Sequence, residues 1–180
     1  MSSAFTSMGS GPRCSRTSDP GGGGPVAVNK RRVKRTRRGD FELRLPDEER
    51  TVIRALVGQM RELLAEDADP GLRRLYPTAY ADDVELDEEY HRLVHDDLLA
   101  RRLAAFEIVE TTVDAERLDE EQLVAWMGAV NDVRLVIGTK LDVSEDPYFD
   151  IDEADPDAQA HAIYTYLGWL LEQIVSELNP

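Results

Sequence analysis

One cysteine, Cys14, stands in 180 residues. A lone thiol excludes an internal disulfide framework and any cysteine-cluster zinc or iron–sulfur site. It suits a reducing cytoplasm. No apolar run approaches the roughly 20 residues that span a bilayer, and residues 1–28 lack the apolar stretch of a secretory signal. The expectation is a soluble, cytoplasmic protein with no membrane partner. Gly21–Gly24 has no strand before it and no Lys-Ser/Thr after it, so it is not a phosphate loop. Serine, cysteine and histidine form no nucleophile–base arrangement. No catalytic residue, metal or cofactor is assigned, and the protein is read as a non-enzyme.

The chain does carry charge, and places it unevenly. Residues 1–38 hold nine Lys/Arg against the single acid Asp19, whereas residues 39–180 hold twelve Lys/Arg against thirty-five Asp/Glu. The basic residues concentrate at Lys30, Arg31, Arg32, Lys34, Arg35, Arg37 and Arg38. Clustered Lys and Arg neutralise phosphates and release counterions, which gives tight, salt-sensitive and sequence-blind binding. No aromatic residue interleaves them, so single-strand stacking is unsupported. The competing reading is a strand whose basic face lies on the acidic body. The acidic body itself repels DNA and anionic lipid, which leaves the arm as the only route to either.

Residues 1–29 are rich in Ser, Gly and Pro and cannot bury enough surface to fold, so they read as a disordered tail. A second reading makes them an untranslated extension, with the true start at Val26 or Val28. Residues 30–180 read as one domain. Phe41-Glu42-Leu43-Arg44-Leu45 alternates like a half-buried strand, and Gly39-Asp40 before it is a turn signal. Val33–Arg37 therefore pairs with it as a hairpin.

Four amphipathic helices follow. Pro46 and three acids open the first, whose apolar stripe is Val52, Ile53, Leu56, Val57, Met60, Leu63 and Leu64. Residues 72–83 read as a loop with one short helical turn. The second helix runs from about Asp87 to Thr112 and is expected to bury Tyr90, Leu93, Val94, Leu98, Leu99, Leu103, Phe106 and Val109. Asp119 with Gln122 forms a capping box for the third, which buries Leu123, Trp126, Met127, Val130, Val133, Ile137 and Leu141. Residues 142–157 are an acidic loop without the sixth-position Gly or final Glu of a calcium site. Asp155-Pro156 caps the last helix, with Ile163, Tyr166, Leu167, Leu170, Ile174 and Leu178 inward. The fold class is mainly α: a bundle of about four helices with a small N-terminal β-hairpin.

Two further clusters carry chemistry. Asp87, His91 and His95 recur at i, i+4, i+8, a spacing at which two His can chelate a divalent metal. Arg92 sits where the base Glu of the zinc-protease motif belongs, and an Asp–His pair on a solvated face is the favoured reading. A metal-dependent hydrolase ranks last. Asn131, Asp132 and Arg134 interrupt the stripe of the third helix and compete for its backbone. They read as a structural polar network or a partner-facing patch, with Arg134 paired to an acid of a neighbouring helix.

Arg35-Thr36-Arg37-Arg38-Gly39 running into Phe41–Leu45 forms one signature. His95-Asp96-Asp97-Leu98-Leu99-Ala100-Arg101-Arg102-Leu103 forms another. Trp126 followed by Asn131–Leu135 and Gly138-Thr139 forms a third. Together, in this order, they resemble the actinobacterial family DUF2017, a domain of unknown function, over residues 33–178. The resemblance implies a cytoplasmic protein often encoded beside the adaptor of the Clp protease. Some members are labelled transcriptional regulators, an oxidative-stress regulator of mycobacteria among them. That label involves cysteine chemistry, and the body from Arg38 onward has no cysteine. The resemblance also implies a start close to the basic arm.

The function expected is regulation by binding, related to transcription, with DNA or an acidic partner on the arm and another protein on the acidic body. The alternative is a protein–protein adaptor in regulated proteolysis without DNA contact. Trp126, Trp169 and the tyrosines offer more apolar surface than four helices need to bury, which suggests a homodimer.

Overall fold

The alternation at Phe41–Leu43 produces a strand with both apolar residues inward. In the computed structural model, which describes residues 31–66, 70–76, 78–143 and 156–179, Phe41 and Leu43 are 1% and 3% exposed. Strand β1 (Val33–Arg35) and strand β2 (Phe41–Leu43) pair antiparallel, with Val33 opposite Leu43 and Arg35 opposite Phe41. The hairpin follows the sequence pattern. A third strand, β3 (Arg117–Leu118), adds to the other edge of β2 with Leu118 opposite Phe41. Two residues are too few to show alternation, so the sequence gives no sign of β3.

Helix α1 spans Asp47–Glu66 and opens on Asp47, Glu48 and Glu49 at its positive dipole end. It buries Ile53, Val57, Met60 and Leu64. Val52, expected inward, is 39% exposed; it lies a third of a turn from Ile53, beyond the edge of the packed stripe. A 3-10 helix, Pro70–Arg74, tucks in Leu72. Helix α2 covers Val84–Thr112. It starts three residues earlier than the sequence reading because the Asp83 side chain accepts from the Leu86 amide and caps it. Helix α3 (Glu120–Lys140) carries the expected capping box, Asp119 and Gln122 each accepting from the other's backbone N–H. Helix α4 spans Ala158–Leu178. Its N-cap is Asp157, whose side chain makes no cap bond, so the cap lies beyond the Asp155-Pro156 expected from sequence. The expected tail, Lys30 and most of the acidic loop lie outside the described residues.

Helix α3 is the centre of the bundle and packs against α1, α2, α4 and the 3-10 helix. Leu123, Trp126, Val130 and Val133 of α3 meet Phe106 and Val109 of α2 and Leu167, Leu170 and Ile174 of α4 in one core. Trp126 is fully buried. Its indole Nε1–H donates to the Thr112 hydroxyl at 2.8 Å, which satisfies the buried donor. Trp126 therefore adds nothing to the exposed apolar surface on which the sequence reading based a homodimer. The exposed surface lies on the first half of α2 instead: Tyr90 and Leu93, both expected in the core, are 39% and 74% exposed. Helical spacing identifies an apolar face, but another element must lie against it before it is buried. The α2 residues that join the core, Leu99, Leu103, Phe106 and Val109, all lie in its second half. No helix among the described residues is long and apolar enough to cross a membrane.

This contrast makes a prediction. Phe106→Ala should cost about 3–5 kcal/mol, while Leu93→Ala on the same helix should change stability by less than about 0.5 kcal/mol. Urea unfolding of both variants measures the difference.

Candidate functional site

The basic arm is folded into the hairpin, and its cations have different environments. Arg32, just before β1, is 7% exposed. Its Nε donates to Glu49 Oε2 at 2.9 Å and its NH2 to Oε1 at 2.6 Å, a two-pronged pair with the first turn of α1. The Tyr166 hydroxyl of α4 donates to the same carboxylate at 2.7 Å. The Arg32 guanidinium also lies 5.6 Å from the centre of the Trp169 ring, and its backbone N–H donates to Gln173 Oε1 at 2.6 Å. Hydrogen bonding to Glu49 raises the Arg32 pKa. Burial, then the bond to Glu49, pushes the Tyr166 phenol up as well. Arg32 is therefore a clamp between hairpin and bundle.

Arg31 and Arg35 are tethered more loosely. Arg31 reaches Glu177 Oε1 at 3.1 Å. The Arg35 backbone N–H donates to Glu177 Oε2 at 2.9 Å, and its guanidinium stands 3.9 Å from Glu120. Lys34, Arg37 and Arg38 are exposed and make no ion pair among the described residues. Lys34 lies within β1 opposite Glu42, and the turn that presents Arg37 and Arg38 is held firmly. The Thr36 amide donates to the Asp40 carbonyl at 2.8 Å, and the Thr36 hydroxyl donates to the Asp40 carboxylate. Arg117 of β3 donates to the other Asp40 oxygen at 2.9 Å. These bonds, that from Thr36 foremost, hold the Asp40 carboxyl below its usual range. Gly39 takes φ +94°, which glycine adopts without strain.

The polar set of α3 does not form a single cluster. Asp132 is 7% exposed and pairs with Arg102 of α2. Burial raises its pKa, and Arg102 opposes that rise. Arg102 also donates to the Leu75 carbonyl at 2.7 Å, tying α2 to the chain after the 3-10 helix. Arg134 lies over the Tyr164 ring of α4 at 4.4 Å, an aromatic contact where the sequence suggested an acid. It fits because residue 168 is glycine: a Cβ there would stand 3.2 Å from Arg134 Nε. Asn131 is partly buried beside them.

Asp87, His91 and His95 serve different partners. Asp87 Oδ1 accepts the amides of Ala79 and Tyr80 at 2.7 and 3.0 Å. His91 Nε2 is 3.6 Å from Asp87 Oδ2. The His95 ring stacks on Tyr76 at 4.8 Å. Among the described residues no three His, Cys, Asp or Glu side chains come together as a metal site.

The residues that sequence reasoning missed are Glu49 and Tyr166 of the clamp. Glu49 read only as a helix-opening acid and Tyr166 only as core. Arg32 and Glu49 lie 17 residues apart and Glu49 and Tyr166 lie 117 apart, separations for which no local signal exists.

Two predictions follow from these contacts. Arg32→Ala strands the Glu49 carboxylate and should destabilise by about 3 kcal/mol, whereas Arg37→Ala should stay within about 0.5 kcal/mol; urea midpoints separate them. The backbone bonds from Tyr80 and Ala79 lower the Asp87 pKa, with His91 contributing less. A lowered carboxylate pKa stabilises the fold above the unfolded-state value, and that contribution is lost as pH falls through the folded value. Asp87→Ala should thus be less stable than wild type at neutral pH, and the two stability curves should converge below the ordinary carboxylate range.

The chain is 28% identical to proteins named oxidative stress regulator AosR from Mycobacterium bovis and Mycobacterium tuberculosis, in alignments covering 92% of this chain and 94% of theirs. No solved structure matches. The family model for DUF2017, a domain of unknown function, matches residues 30–178, a span that includes the clamp, the hairpin and all four helices, and the chain belongs to that family.

Proposed function

We propose that this protein is a non-enzymatic, transcription-related regulator that binds the phosphate backbone of DNA through the tip of its hairpin. One observation carries the reading: Lys34 on β1 and Arg37 and Arg38 on the turn that follows stand exposed with no ion pair among the described residues, and Thr36, Asp40 and Arg117 hold that turn. A turn whose backbone is already held loses little freedom when its cations meet phosphate. The rest of the body, with thirty-five acids against twelve bases from residue 39 on, repels nucleic acid. The contact is therefore narrow, salt-sensitive and sequence-blind on the hairpin side. The names of the mycobacterial relatives support a regulatory role. Those relatives are 28% identical to this chain.

Anisotropy of a labelled duplex of arbitrary sequence, titrated across a salt series, tests the reading. Binding should weaken linearly in log salt, with a slope of about 0.9 per phosphate neutralised. Replacing Lys34, Arg37 and Arg38 with Ala should weaken binding and flatten that slope while leaving the fold intact. Absence of binding at low salt, or an unchanged slope, removes the proposal and favours the adaptor reading.

A further inference from the structure

We propose that the exposed face of α2 is a docking surface for a basic amphipathic helix of another protein. The inference rests on the reading that this protein acts by binding, and it names a second face, separate from the hairpin, with the chemistry of its partner.

Leu86, Tyr90, Leu93, Asp97, Ala100 and Ala104 follow one another at intervals of four, three, four, three and four residues. Those steps average 3.6 residues, the repeat of a straight α-helix, so the six form one seam along a single face of α2. All six are exposed, with Leu86, Tyr90 and Leu93 at 41%, 39% and 74%. The core of the bundle uses other faces of α2, through Phe106, Val109 and Thr112. Tyr80 extends the apolar surface, its ring edge-on to Tyr90 at 5.9 Å. Asp87 fixes the backbone of Ala79 and Tyr80 to α2, so this flank is preformed. Ala100 and Ala104 have side chains small enough for a partner helix to approach closely.

Charge decides the occupant. Glu85, Glu89 and Asp96, all exposed, run along one side of the seam with Arg92 between the last two; Glu85 and Glu89 make no ion pair among the described residues, whereas Asp96 lies 3.5 Å from His95 Nδ1. Within the seam, Asp97 is already matched by Arg101 at 2.8 Å. A second copy in parallel would set this acidic flank against its own like. A helix with an apolar seam flanked by Lys or Arg meets both features at once, apolar on apolar and cation on the unpaired carboxylates.

The test uses the full chain and a synthetic helix of about four heptads, with Leu at the seam and Lys or Arg beside it. One control carries Glu flanks and the other a Ser seam. Calorimetric titration should give saturable one-to-one binding to the first peptide and at least tenfold weaker binding to both controls. Leu93→Ser should weaken binding at least about tenfold, as loss of a central apolar anchor does. Glu85→Lys with Glu89→Lys should weaken it comparably without touching the seam. The Lys34, Arg37 and Arg38 alanine variant should bind the peptide as wild type does, which separates this proposal from failure of the DNA reading. Equal binding of the Ser-seam peptide, insensitivity to Leu93→Ser, or no binding of the basic peptide overturns the proposal. So does a dimer in sedimentation that Leu93→Ser dissolves, since the occupant would then be a second copy.

Discussion

The pair between Arg32 and Glu49 is the contact through which three parts of this fold meet. It joins the residue before β1 to the first turn of α1, and Tyr166 adds α4 through the same carboxylate. A guanidinium placed this far from water is costly unless its charge is matched and its N–H groups are bonded. Here both carboxylate oxygens are used, the phenol completes the carboxylate's shell, and the Trp169 ring lies against the cation. The geometry admits little slack. A three-residue strand cannot hold itself on a helical bundle by two ladders alone. The clamp fixes its base, and Glu177 fixes its length by accepting from Arg31 and from the Arg35 backbone.

Fixing the base determines what the tip can do. The basic segment looks uniform in sequence, yet its cations divide into those that hold the hairpin and those that face outward. Arg32 is consumed by structure, Arg31 and Arg35 lie along the α4 and α3 acids, and Lys34, Arg37 and Arg38 are left to solvent. The acidic body thus has two effects. It draws the inner half of the arm onto itself, and it confines any encounter with phosphate to the outer half. The docked-strand reading describes Arg31, Arg32 and Arg35, while Lys34, Arg37 and Arg38 are the residues left for the proposed contact with a polyanion.

Much of this architecture is written locally. Phe41–Leu43 announces its strand by alternation, Asp119 and Gln122 announce the start of α3, and the α3 and α4 stripes name their own core residues. Other features depend on separations the sequence does not encode as a pattern. β3 is two residues long and exists because Leu118 has Phe41 opposite it. Tyr90 and Leu93 sit at the spacing of core residues, yet they are 39% and 74% exposed and stand outside the core that α2 joins through Phe106 and Val109. Arg134 carries the signal of an ion-pairing residue, but the chain brings it the face of Tyr164 and the bare backbone of Gly168. For the candidate site, the sequence shows which residues are basic. Which of them is buried follows from where Glu49 and Tyr166 fall in three dimensions.

The central claim is that the hairpin tip, and not the clamp or the acidic helices, meets nucleic acid. Amide hydrogen exchange on the intact protein, with and without saturating duplex DNA at low salt, tests it most directly. The account predicts added protection confined to the turn from Lys34 to Arg38 and its strand neighbours, with α2 and the interior of α4 unchanged. Protection appearing on α2, or a hairpin indifferent to DNA while other segments respond, would contradict it.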